Sequence, residues 1–203
     1  MTRPYYLLGG LMALSAIPIL VALVRLGQIP LAMLPPEAMR FSAVPAAHFA
    51  HALGGVVFGL IGPVQLSNAL RHRFGQTHRQ LGRVFVVAGL GIALSALRLL
   101  WQFPDVVSWP LTLTRLLVAL GLGFALIWAV RAARRGARAQ HRAWMIRAYA
   151  LGMGAATQAQ VMLPIAAVTG ATLNGALADN IFIAAWVFNL CLGESVIRRS
   201  TAA

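Results

Sequence analysis

Apolar residues run through this chain in six long stretches: Tyr5 to Leu26, Pro45 to Leu66, Leu81 to Trp101, Leu111 to Val130, Trp144 to Val168 and Ile181 to Ile197. Each approaches the roughly 20 residues that carry a helix across about 30 Å of hydrocarbon. They predict an all-α, polytopic membrane bundle of about six transmembrane helices, with residues 1–203 forming a single integral membrane domain. Pro45 suits the first turn of its helix, and Pro18 is tolerable inside a membrane helix whose neighbours satisfy the freed carbonyl. The segment Gly27 to Val44, with Pro30, Pro35 and Pro36, reads as an outer loop or a partly embedded, re-entrant stretch.

Composition agrees: 60% of residues are hydrophobic and 10% charged, against about 25% charged in a soluble domain. The polar segments between the runs alternate. Those from Arg71 to Arg83 and from Arg131 to Arg147 are dense in arginine, whereas those around Asp105 and Asp179 contain none. The positive-inside rule then places the dense segments and both termini in the cytoplasm. Arg25, Arg40, Arg98 and Arg115 fall near the outer face, where they can snorkel or pair with Glu37, Asp105 or Asp179. A net charge of +13 invites a nucleic-acid reading. However, the arginines sit at membrane borders, so topology and attraction to anionic lipid on the cytoplasmic side account for them without nucleic acid. Trp101, Trp109, Trp128 and Trp144 stand near the same borders, where indole rings prefer to lie. The N-terminal run outlasts a signal-peptide core and is read as a retained span.

Several chemistries are excluded. The lone Cys191 permits no intrachain disulfide and no thiolate metal site, and reads as a buried structural thiol. With no lysine there is no phosphate-binding Gly-Lys loop, no H-E-x-x-H is present, and the four acidic residues are scattered.

The histidines carry what chemistry remains. His48 and His51 share a helix face that continues through Gly55, Gly59 and Gly62. Such a row packs helices closely, or it accepts a flat ligand such as a haem held by His51; His48 sits nearer the headgroups. His78 and His141 each stand in a His-Arg pair before an apolar run, as two parallel repeats would place them, although so short a match arises readily by chance. Bis-histidine ligation of haem b would set His78 and His141 as metal ligands between the third and fifth spans, with Arg79, Arg83, Arg142 or Arg147 on the propionates. Binding of lipid phosphate or helix capping explains the same two histidines without a cofactor. His72 is a loop residue. Gln158 and Gln160 alternate faces, so at most one turns inward. Glu194 is placed for an ordinary ion pair with Arg198, Asn189 for a hydrogen bond across helices, and Met145 and Met153 for packing.

His51-x-x-x-Gly55, Gly62-Pro63-x-Gln65, Arg71, His78-Arg79-x-x-Gly82-Arg83 and His141-Arg142-x-Trp144-Met145-Ile146-Arg147-x-Tyr149-Ala150 together resemble the bacterial membrane proteins grouped as domain of unknown function 2306. The resemblance runs from about His48 to Glu194 and implies a multipass protein of the bacterial inner membrane. A looser similarity is to helical membrane cytochromes b, which hold haem between histidines on neighbouring helices. This chain departs from that pattern in having no histidine on the fourth span, and Gln158 stands where an arginine is expected in the family. Two functions stay open. One is an electron-transfer protein with a b-type haem or a quinone pocket; the other is a non-catalytic accessory or assembly subunit or a small-solute carrier, within a membrane complex or a homo-oligomer. The sequence assigns no enzyme reaction.

Overall fold

Lipid offers no water to backbone amides, so the apolar runs must satisfy them within helices. A computed structural model of the chain describes residues 3–67, 71, 73–103, 107–170 and 173–201; His72 and Asp105 lie outside them. Among the described residues the elements are α1 (Arg3–Gln28), a 3-10 helix (Pro36–Ala43), α2 (Pro45–Leu66), α3 (Gly75–Gln102), α4 (Trp109–Arg134), α5 (Arg138–Gly152), α6 (Gly154–Thr169) and α7 (Gly175–Thr201), with no strand. Six segments are long and apolar enough to cross a membrane, α5 and α6 together making one of them.

The helices outrun the apolar stretches that announce them. α3 begins at Gly75 and α5 at Arg138, so His78, Arg79 and His141 lie on helices rather than in entry loops. Hydropathy marks what lipid covers, whereas a helix continues through good helix formers such as arginine until its ends are capped. Asp179, read as a loop residue, is likewise helical within α7. The stretch from Gly27 to Val44 contains the 3-10 helix Pro36–Ala43, with Leu34, Ala38 and Val44 buried.

The chain forms two compact units, Met1–Phe103 and Pro104–Ala203. In the first, α2 packs against both α1 and α3. Small residues set these approaches, as expected where helices associate by van der Waals contact. Gly59 of α2 lies against Ile19 and Ser15 of α1, and Gly54 lies against Ile92 and the Ala88 carbonyl of α3. Below them Phe58 and Phe85 stack at 4.1 Å. Gly55 faces open space instead.

In the second unit, α4 buries Leu122, Ala125, Leu126, Ala129 and Ala132, a stripe at helical spacing, and α4 and α5 pack closely. Their turn is a Schellman motif: Gly136, at φ 71°, bonds through its amide to the Ala133 carbonyl, and Ala137 bonds to that of Ala132. α7 packs on α5 and α6. The Ser108 amide, at the start of α4, donates to the Asp179 carboxylate of α7 at 2.9 Å, where the helix dipole favours a negative charge.

Two side chains depart from the sequence reading. Cys191 is exposed rather than buried, on a lipid-length helix whose outer surface is apolar. Arg25 and Arg98 extend toward the C-terminal ends of their helices, to Gln28 Oε1 at 2.8 Å and Gln102 Oε1 at 2.9 Å; this snorkelling carries each charge toward the border.

Candidate functional site

The histidines fall into both units. In the first, His51 projects from α2 toward Ser95 of α3. The Ser95 hydroxyl donates to the Gly91 carbonyl at 2.7 Å, with the Ile92 carbonyl 3.0 Å away. Its proton is therefore spent, and its oxygen accepts from His51 Nδ1 at 3.1 Å. Protonation at Nδ1 leaves the Nε2 lone pair of a neutral imidazole as the basic nitrogen. One turn on, Gly55 presents no side chain and meets no neighbour, so the surface beside His51 is flat.

His48 is 9% exposed and inclines its ring 4.8 Å from that of Phe41 in the 3-10 helix. Phe41 in turn meets Phe103 edge-on at 5.6 Å. His48 Nδ1 has no hydrogen-bond partner among the described residues, and neither does Gln65 Nε2. At the other end of this unit His78 stands in the first turns of α3, half-buried, while Arg79 and Arg83 are exposed one helical turn apart.

In the second unit His141 Nδ1 lies 2.9 Å from the Ala129 carbonyl of α4. A carbonyl only accepts, so Nδ1 carries the proton and Nε2 the lone pair. Arg147, one of the proposed propionate partners, is held by Glu194 of α7: its Nε and Nη2 donate to the two carboxylate oxygens. The guanidinium also lies 4.7 Å from the Trp144 ring. Glu194 thus meets an arginine on a neighbouring helix, whose planar guanidinium engages both oxygens at once, while the Arg198 charge also acts on its carboxylate. Arg142 is half-buried on the first turns of α5.

The fifth span is interrupted, which sequence reasoning missed. α5 ends at Gly152 and α6 starts at Gly154, with Met153 between them. Trp186 of α7 lies against Gly154 so closely that a Cβ there would overlap the indole, and its Nε1 donates to the Leu151 carbonyl at 3.1 Å. Irregular backbone at membrane depth is thereby covered and satisfied by protein. Two further links flank it: Thr157 Oγ1 donates to Asn189 Oδ1 at 2.9 Å, and Gln158 Nε2 donates to the Phe182 carbonyl at 3.2 Å. Asn189 therefore bonds across helices and Gln158 turns inward, while Gln160 is exposed. Asn189 Nδ2 has no partner among the described residues. Met145 and Met153 are buried packing residues.

His78 belongs to the first unit and His141 to the second. Among the described residues no three of His, Cys, Asp and Glu gather as metal donors. The chemistry within reach is that of the single imidazoles of His51 and His141, each oriented through Nδ1 and offering an Nε2 lone pair, which suits axial ligation of a haem or acceptance of a hydrogen bond from a quinol hydroxyl.

A family model described as a predicted membrane protein, DUF2306, matches residues 48–197, well over half of the chain. That span includes His48, His51, His78 and His141. Comparison with the curated proteins and with the solved structures gave no match.

Proposed function

Because the chain belongs to the DUF2306 family of multipass membrane proteins, its function must be sought in groups that lipid would not tolerate unless they served a purpose; we propose that it is a b-type haem protein moving electrons within the bacterial inner membrane. The observation that carries this reading is the His141 Nδ1–H bond to the Ala129 carbonyl. A histidine that ligates a metal donates its other ring N–H to a carbonyl or carboxylate, which fixes the tautomer and raises the basicity of the ligating nitrogen. His51 is held at Nδ1 in a comparable way, by the Ser95 hydroxyl oxygen. Bound haem would supply one-electron chemistry, with its potential set by the axial ligands and by burial. The chain's own part is to hold Nδ1 protonated, which leaves the Nε2 lone pair available, and to exclude water. Arg142 in the second unit, and Arg79 and Arg83 in the first, are the cationic candidates for the propionates of a haem held within their own unit; Arg147 holds Glu194. His78 is carried as a further ligand candidate on its sequence position alone.

Orientation belongs to the same reading. The arginine-rich ends face the cytoplasm, which puts His141 at the inner border and His51 toward the outer one.

The test is the absorption spectrum of protein purified from haem-replete cells, before and after dithionite. The expected result is a Soret band that shifts and sharpens on reduction, lost in His141→Ala or in His51→Ala according to which imidazole ligates, and retained in His48→Ala. If His51 ligates, Ser95→Ala keeps the band but lowers the basicity of Nε2, and so moves the reduction potential. Protein that is colourless and takes up no added hemin would transfer the assignment to an accessory or assembly subunit or a small-solute carrier.

A further inference from the structure

The α4–α5 turn concentrates positive charge for which the described residues supply no acidic partner. Arg131 and Arg134 lie in the last turn of α4, Arg135 caps its C-terminus four residues after Arg131, and Arg138 opens α5; all four are exposed. Between Asp105 and Asp179 the sequence contains no carboxylate, and Glu194 is engaged by Arg147. Like charges at this spacing, with Cβ atoms about 5–6 Å apart, repel one another unless an anion lies between them.

The same face continues into an aromatic floor. Trp128, one turn before Arg131, is 39% exposed and lies 5.1 Å beneath its guanidinium. Phe124 stacks on Trp128 at 4.5 Å, and Trp144 of α5 meets Phe124 edge-on at 5.4 Å. An indole beneath a guanidinium strips water from one face of the cation and leaves its N–H edge directed outward. Above the floor, then, stand planar donors suited to phosphate oxygens. Below it runs an apolar helix face, with Phe124, Leu120 and Leu117 exposed, suited to acyl chain.

We propose that this face binds an anionic phospholipid carrying two phosphodiester groups. A single phosphodiester neutralises one arginine and leaves the others in mutual repulsion. Two phosphates on one lipid neutralise two, because once the first has docked the second is presented at high effective concentration. Basic sites beside membrane helices on the cytoplasmic side are suited to such headgroups, and the Schellman turn at Gly136 holds Arg135 and Arg138 close without consuming either side chain.

The experiment uses the full chain, delipidated in neutral detergent. It is titrated with tetraoleoyl cardiolipin, or with dioleoyl phosphatidylglycerol at equal total charge, and bound lipid is counted by native mass spectrometry. The two-phosphate lipid is expected to bind more tightly. Arg131→Gln and Arg135→Gln should each weaken it about fivefold, while the Arg198→Gln/Arg199→Gln pair leaves it unchanged. Equal affinity for the two lipids in the wild-type chain overturns the proposal whether or not the variants fold. So does equal weakening by both sets of substitutions, or displacement of the lipid by inorganic pyrophosphate at equal concentration, since that would show that the acyl chains and aromatic floor contribute nothing.

Discussion

Replacing Gly154 with alanine distinguishes a broken fifth span from a continuous one by the sign of its effect. In an uninterrupted helix, Gly→Ala would stabilise by about 0.8–1 kcal/mol through helix propensity alone. At the break the added methyl meets ring atoms Nε1, Cδ1 and Cε2 of Trp186. That ring cannot yield cheaply, because its Nε1 holds the Leu151 carbonyl. Overpacking costs about 1–3 kcal/mol. If the indole swings aside, loss of an interhelical hydrogen bond in lipid adds about 0.6 kcal/mol. After subtraction of the propensity gain, the variant is expected to be destabilised by about 0.6–2.8 kcal/mol. Truncating Trp186 to alanine removes the obstacle, so in that background Gly154→Ala should become neutral or stabilising. The resulting coupling, about 1–3 kcal/mol, is within the range seen for residues in contact. Denaturant titration of the four proteins in mixed micelles, followed by helical circular dichroism, measures the cycle. A Gly154→Ala protein as stable as wild type, or one whose loss is the same with and without Trp186, would refute both the contact and the interruption it covers.

Glu194→Gln should cost about 1–2 kcal/mol in the same assay, the usual cost of breaking a buried pair being reduced because the two side chains are 30% and 37% exposed. Exchanging the pair, Arg147→Glu with Glu194→Arg, should recover part of the loss, and failure to recover any would show the contact to be idle. For topology, a reporter active only outside the cytoplasm should signal when fused near Asp179 and stay silent near Arg135 and at the C-terminus; the reverse pattern overturns the orientation.

The helices themselves were legible because hydropathy reports depth in the membrane, and six apolar runs correspond to six spans. Hydropathy is nearly silent about rotation. A helix apolar on all sides carries no stripe to say which face meets protein: of Gly55, Gly59 and Gly62, which the sequence puts on the histidine-bearing face of α2, Gly59 makes a close approach and Gly55 does not, while Gly54, outside that row, makes another. Cys191, which the sequence reads as buried, is exposed for the same reason. The interruption at Met153 left two traces that went unused: glycines on both sides of it, and a tryptophan, Trp186, well inside a span although indole rings prefer the borders.

Rotation is set by the few polar atoms in the spans, each of which must find a partner at its own depth. Ser95 illustrates how that constraint is read. At 1.5 Å per residue His51 lies about 9 Å from the start of α2 at Pro45, and Ser95 about 10 Å from the end of α3 at Gln102. Successive antiparallel helices begin and end at the same face of the membrane, so these two side chains occupy one layer before any packing is known. Of the polar groups α3 contributes within its span, Ser95 is the one at that depth, and its hydroxyl is indeed 3.1 Å from the imidazole. The same reckoning fails for His141, whose acceptor is the main-chain carbonyl of Ala129. Every residue has such a carbonyl, so no side-chain pattern marks which one is used. The tautomer of His51 was therefore within reach of the sequence, and that of His141 required the fold.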